Sequence, residues 1–159
     1  MQHISFDISK PLTLSQRAYL VAISQLGVHE IAGPEADKQI LKYHQCTDLK
    51  ATSDEVAWCS AAHNFCMQTA SGKGTNSAMA RSWLKWGKHV DEADVQTGDT
   101  VIFSSPLRGP DAGHVSAVDK DGPQLPGMVR CLGGNQHDEF CFSYYPKLLV
   151  LGYRRSLDG

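Results

Sequence analysis

The sequence has little of what assigns a chain to a special class. No apolar run approaches the roughly 20 residues of a bilayer-spanning helix, so no membrane insertion is expected. Net charge is only −2, from 15 basic and 17 acidic side chains. That balance gives no support to a nucleic-acid or membrane-surface partner. None of the five cysteines forms a CxxC pair, which removes the usual support for a zinc ribbon or a thioredoxin-type redox site. Asp48, Asp54 and Glu55 do not follow calcium-loop spacing, and no metal or other cofactor is expected. The start, Met1-Gln2-His3-Ile4-Ser5-Phe6-Asp7, lacks the basic and apolar parts of a secretory signal. A protein that works where it is made, or leaves by another route, is therefore expected. With no repeat, low-complexity tract or linker, the 159 residues read as a single domain, residues 1–12 forming an N-terminal arm.

What is present is a change of period along the chain. Thr13 and Gln16 form a capping box, and Leu14, Ala18, Val21, Ala22 and Leu26 then recur at helical spacing up to Gly27. Glu35 to about Cys46 reads as a second, shorter helix. Thr52 with Glu55 forms another capping box, predicting a helix that carries Cys59 and stops at Ser71-Gly72-Lys73-Gly74. Ser77 to Trp86 reads as amphipathic, with Met79, Trp83 and Trp86 on one face. Five short β-rich runs follow: 100–103, 115–118, 128–132, 140–144 and 148–153, separated by turn signals such as Asp121-Gly122-Pro123. Helices first and antiparallel strands afterwards is the α+β pattern.

The chemistry centres on Trp58-Cys59-Ser60-Ala61-Ala62. A thiol at a helix start meets unpaired N–H groups and the positive end of the dipole, which lower its pKa from about 8.5. Gly113-His114-Val115 follows 55 residues later, with a histidine at the start of a strand. His63 is nearer, one turn along the same helix. Two side chains held side by side frame a substrate carbonyl poorly, so His114 is the expected base. Asn135, in Leu132-Gly133-Gly134-Asn135-Gln136, is the expected third member, accepting from the ring N–H. Asp119 and Asp138 are alternatives, although Asp119 falls on the opposite face of a regular strand from His114. Nucleophile, base and orienting amide in this order make the constellation of a cysteine hydrolase. Trp58, Glu30 and Asp54 are candidates for substrate contact, with Arg81 a further polar candidate for a peptide's charged ends. The other cysteines read as core residues, with Cys131 and Cys141 flanking a turn.

The run Asp54-Glu55-Val56-Ala57-Trp58-Cys59-Ser60-Ala61-Ala62 and the later Ala80-Arg81-Ser82-Trp83-Leu84-Lys85-Trp86-Gly87 resemble the CHAP (cysteine, histidine-dependent amidohydrolase/peptidase) family. More narrowly, the chain resembles a small subgroup found in bacteriophage and prophage genomes. Gly27-Val28-His29-Glu30, Gln96-Thr97-Gly98-Asp99, Gly113-His114-Val115, Gly133-Gly134-Asn135-Gln136 and Leu151-Gly152-Tyr153-Arg154 continue it in order. The resemblance implies a papain-like α+β fold with N-terminal helices on a C-terminal antiparallel sheet. It also implies an endolysin-like monomer that acts on bacterial peptidoglycan, in the stem peptide or at the N-acetylmuramoyl-L-alanine link. Cys59, His114 and Asn135 carry over as nucleophile, base and third member. Many CHAP domains place a glutamate two residues before that asparagine; here the position is Gly133, which favours three residues over four. Such an enzyme would be made in the host cytoplasm without a signal peptide and act on the wall in the periplasm or outside. An injected antibacterial amidase toxin of the same fold, or an inactive wall-binding module, are the alternatives.

Overall fold

The computed structural model describes residues 4–159, so residues 1–3 of the expected arm lie outside the description. Helix α1 spans Leu14–Ser24 and opens on the expected capping box: Gln16 N–H donates to Thr13 Oγ1 and Thr13 N–H to Gln16 Oε1. Helix α2, Lys38–His44, is shorter than expected because the Asp37 carboxylate caps it, accepting from Gln39 and Ile40 N–H.

Helix α3 spans Cys59–Thr69, and the capping box expected before it does not form. Ser53 Oγ takes the Glu55 N–H, while the Asp54 carboxylate accepts from Ile31 and Asp37 N–H. These bonds fold residues 52–57 into turns, and the helix begins only after Trp58, whose side chain makes no capping bond. The segment expected as an amphipathic helix up to Trp86 is a 3-10 helix, Ala80–Lys85. It buries Trp83 completely, with the Trp86 ring edge-on to it at 5.2 Å.

Six strands follow: β1 Lys88–Val90, β2 Thr100–Ser104, β3 Gly113–Val118, β4 Met128–Gln136, β5 Glu139–Pro146 and β6 Val150–Arg155. They form one antiparallel sheet in the order β1-β6-β2-β3-β4-β5. Ile102, Val115, Ala117 and Leu132 on one face join the core made with the helices. Val101, Phe103, Val118, Cys131 and Tyr153 form a second cluster on the other face. The sheet curls around that cluster. Tyr145 on β5 meets Phe103 on β2 with ring centroids 5.0 Å apart, whereas a flat sheet would set those strands about 14 Å apart.

The curl has an opening that positions the site. Strands β3 and β4 pair only at Ala117↔Leu132 and Val118↔Cys131. Beyond that the regular pairing ends, and the start of α3 packs against both strands. A Cβ at Gly134 would lie 2.6 Å from Trp58 Cζ3 and 2.8 Å from Ala62 Cβ, and one at Gly133 would run into Ser116 Oγ. Gly134 lets the helix press directly on the β4 backbone, and Gly133 lets Ser116 of β3 lie against it.

Candidate active site

Cys59 is the first residue of α3, so its N–H is among the four with no intrahelical acceptor. The late helix start puts the thiol where the N-terminal field is strongest. His114 is the second residue of β3, and its ring stands inside the curl, 6.2 Å from Phe103 and 5.0 Å from Tyr145. Both are nearly sealed, at 4% and 8% exposure, so protein groups and not solvent set the charge of each.

Burial alone would push the Cys59 thiol up. A hydrogen bond and charge from His114, the Val115 N–H and the charge of Arg108 outweigh it, and the thiol lies below its ordinary value. Burial would likewise lower His114, but Cys59 and Gln136 together hold it above the ordinary imidazole value. The two shifts run in opposite directions, each favouring the charged form of its group.

The ring's other partner corrects the sequence expectation. His114 Nε2 lies 2.9 Å from Oε1 of Gln136, not from Asn135. The cause is a β-bulge. Gly133 pairs with Cys141 and Gln136 with Glu139, so three steps on β4 match two on β5. Asn135 takes up the extra residue at φ +56°. In a regular strand Cys131, Gly133 and Asn135 would share the face that carries His114; the bulge puts Gln136 there instead. Gln136 is completely buried and fully engaged: its Nε2 donates to Cys141 O at 2.6 Å, and Ser116 Oγ donates to its Oε1 at 3.0 Å. A carbonyl can only accept, so the amide cannot be flipped. Oε1 must face the ring, His114 Nε2 must carry a proton, and Nδ1 is the nitrogen left for Cys59.

His63 is buried, bonded through Nε2 to Thr100 Oγ1 at 2.8 Å and edge-on to Trp83. Burial and the nearby His114 push its pKa down to about 3, so it is a neutral core residue. Trp58 is fully buried, stacked on Tyr43 at 5.8 Å, and its Nε1–H donates to Glu30 Oε1 at 2.9 Å. Its place is inside the molecule and not against a ligand. Glu30 is half-buried, and burial raises its carboxyl. Asp54 is 1% exposed; the Ile31 and Asp37 N–H groups hold its carboxyl below the usual range, and it serves the loop rather than a substrate. Asp119 is paired with Arg130 and takes the Tyr19 hydroxyl, away from the ring. Asp138 is exposed in the β4–β5 turn. Arg81 donates to backbone carbonyls of Pro110 and Ala112.

All five cysteines are free thiols, and burial pushes Cys66 up and Cys131 up to about 12, in contrast to Cys59. Among the described residues no cluster of His, Cys, Asp or Glu is arranged to hold a metal, and no helix is long and apolar enough to cross a membrane.

No sequence-family model and no curated protein matches the chain. In three dimensions it is similar to the P60 domain from M. avium subspecies paratuberculosis antigen MAP1204, with a TM-score of 0.53 at 15% identity, over 91% of this chain and 94% of that one. It also resembles NlpC1 from Trichomonas vaginalis, at TM-score 0.48 and 17% identity, over 94% of this chain and 46% of that one. The likeness to the P60 domain is one of fold: the chain has an α+β, papain-like architecture.

Proposed function

We propose that the chain is a cysteine peptidase or amidase that cleaves an amide bond of bacterial peptidoglycan. The observation that carries the catalytic part is the Cys59–His114 pair, with the imidazole tautomer fixed by Gln136. The papain-like fold supports it. The wall substrate and a phage-type lytic role rest on the resemblance of the Cys59, Trp83 and His114 blocks to CHAP proteins.

The geometry supports a two-step mechanism. The Cys59 thiolate attacks the amide carbonyl, and the oxyanion meets the Cys59 N–H at the positive end of α3. His114 gives its Nδ1 proton to the leaving amine, and a thioester remains. His114 then takes a proton from water, which attacks the thioester; the carboxylic acid leaves and the thiolate is restored. Throughout, Gln136 Oε1 holds the Nε2–H, so only Nδ1 exchanges protons.

The bond is identified by mass spectrometry of fragments released from purified sacculi. New N-terminal amines mark an endopeptidase, and free lactyl groups mark an amidase. Either set, absent with Cys59→Ala, supports the proposal. Intact sacculi in a preparation whose Cys59 is rapidly alkylated would overturn it.

A further inference from the structure

The loop Ser105–Ala112 joins β2 to β3 directly beyond the pairs Phe103↔His114 and Ser104↔Gly113, so it stands at the rim of the catalytic pair. It is a built loop. Ser105 N–H donates to Ala112 O, Arg108 N–H to Ser105 O and Ala112 N–H to Gly109 O. Arg81 ties it down from outside, its Nη2 donating to Pro110 O at 3.0 Å and its Nε to Ala112 O at 3.2 Å. This braced loop presents Leu107 and Arg108 to solvent, along with Pro106, Pro110 and Asp111.

Arg108 stands apart from the other arginines. Arg17 donates to Leu12 and Ala70 carbonyls, Arg81 to the loop, and Arg154 to Trp86 and Gly87 carbonyls. Arg130 pairs with Asp119, and Arg155 with Asp99. Among the described residues, the Arg108 guanidinium has neither a carboxylate at ion-pair distance nor a hydrogen-bond acceptor. Its charge nevertheless reaches both Cys59 and His114. A planar fork of five donors, exposed on the loop that adjoins His114 and without a protein acceptor among the described residues, matches a carboxylate in two-point contact.

We propose that Arg108 is a substrate-binding residue that takes a carboxylate adjacent to the scissile amide, with Leu107 beside it for apolar contact. The enzyme would then prefer a substrate whose carboxyl near the cut bond is free over one whose carboxyl is amidated. The inference rests on the hydrolase proposal for its substrate, though the anion site itself is measurable without hydrolysis.

Iodoacetate and iodoacetamide deliver the same test to Cys59. In each, the thiolate forms a C–S bond as iodide leaves, but only iodoacetate carries a carboxylate. The ratio of the two rates, read by mass spectrometry on the Cys59 peptide, cancels the thiolate fraction. The expected result is a fall in the iodoacetate-to-iodoacetamide ratio of roughly two- to fivefold in Arg108→Ala, the size of one exposed ion pair. Arg108→Glu should lower it further, and Arg108→Lys should keep most of it. With stem peptides as acid and carboxamide, Arg108→Ala should raise KM for the acid alone. An unchanged ratio in Arg108→Ala and Arg108→Glu overturns the proposal even if sacculi are cleaved. A lowered ratio with uncleaved sacculi sustains the anion site and removes the peptidoglycan assignment.

Discussion

Gln136 Oε1 lies 2.9 Å from His114 Nε2, and this contact leaves Nδ1 as the imidazole nitrogen free to face Cys59. The amide is held from the other end by Cys141 O, at 2.6 Å, so its oxygen has one place to be. The ring is thereby fixed in tautomer and in angle. A neutral side chain does this without adding a negative charge beside Cys59, where it would oppose the lowering of the thiol.

Gln136 and Asn135 can be separated by substitution. Gln136→Ala leaves the His114 N–H, the Ser116 hydroxyl and the Cys141 carbonyl without their buried partner. It should destabilise the fold by about 1–3 kcal/mol and lower kcat on the order of 10²-fold through misplacement of the ring. Asn135→Gly should be close to neutral in both, since φ +56° suits glycine. Steady-state kinetics and urea unfolding on the two variants check this. Equal losses would return the third position to Asn135.

The charge pair predicts a bell-shaped pH dependence. Activity should rise through an acid limb below the ordinary thiol value, as the pair loses its first proton, and fall through an alkaline limb above the ordinary imidazole value, as His114 loses its proton. The two limbs are properties of the pair and not of single residues. In His114→Ala the alkylation of Cys59 should move to higher pH, because burial then acts on the thiol with less to oppose it. Iodoacetamide rates against pH give the measurement.

His63 predicts a stability change instead. Its folded pKa, about 3, lies below the unfolded 6.5, so as pH falls the unfolded chain takes up the proton first. His63 therefore contributes stability that is complete above 6.5 and is lost progressively from there towards 3. NMR titration should show its ring still neutral at pH 5, while His114 titrates above the ordinary value. Urea unfolding of His63→Gln should show a flatter loss between pH 7 and pH 5 than the parent.

Gly134→Ala tests the close approach of α3. The new methyl meets Trp58 and Ala62 within 2.8 Å, both buried in the core. Overpacking of this kind costs about 1–3 kcal/mol. Because Trp58 precedes the nucleophile directly, the strain should also slow Cys59 alkylation. Loss of stability with an unchanged alkylation rate would mean the helix start yields without moving the thiol.

The sequence made Cys59 and His114 legible because their signals are local: a thiol near a helix start and a histidine before a β-branched run. Gln136 was hidden because the bulge is a backbone event, and alternation counted along Cys131-Leu132-Gly133-Gly134 points to Asn135. The Thr52/Glu55 pattern fitted a capping box, yet Asp54 bonding to Ile31 and Asp37, distant in sequence, set the local fold. Trp58 was a candidate for substrate contact, and the stack on Tyr43 and the closeness of Gly134 show it to be sealed in the core. Strand β1, three residues long, is too short for alternation to register. Arg108 carried no sequence signal; the role proposed for it rests on its having no acceptor among the described residues.

The most direct test is release of soluble fragments from purified sacculi by the parent protein and by Cys59→Ala, matched for folding by circular dichroism. The account predicts steady release by the parent, with none above background for the variant. Release at the parent's rate by folded Cys59→Ala would contradict it.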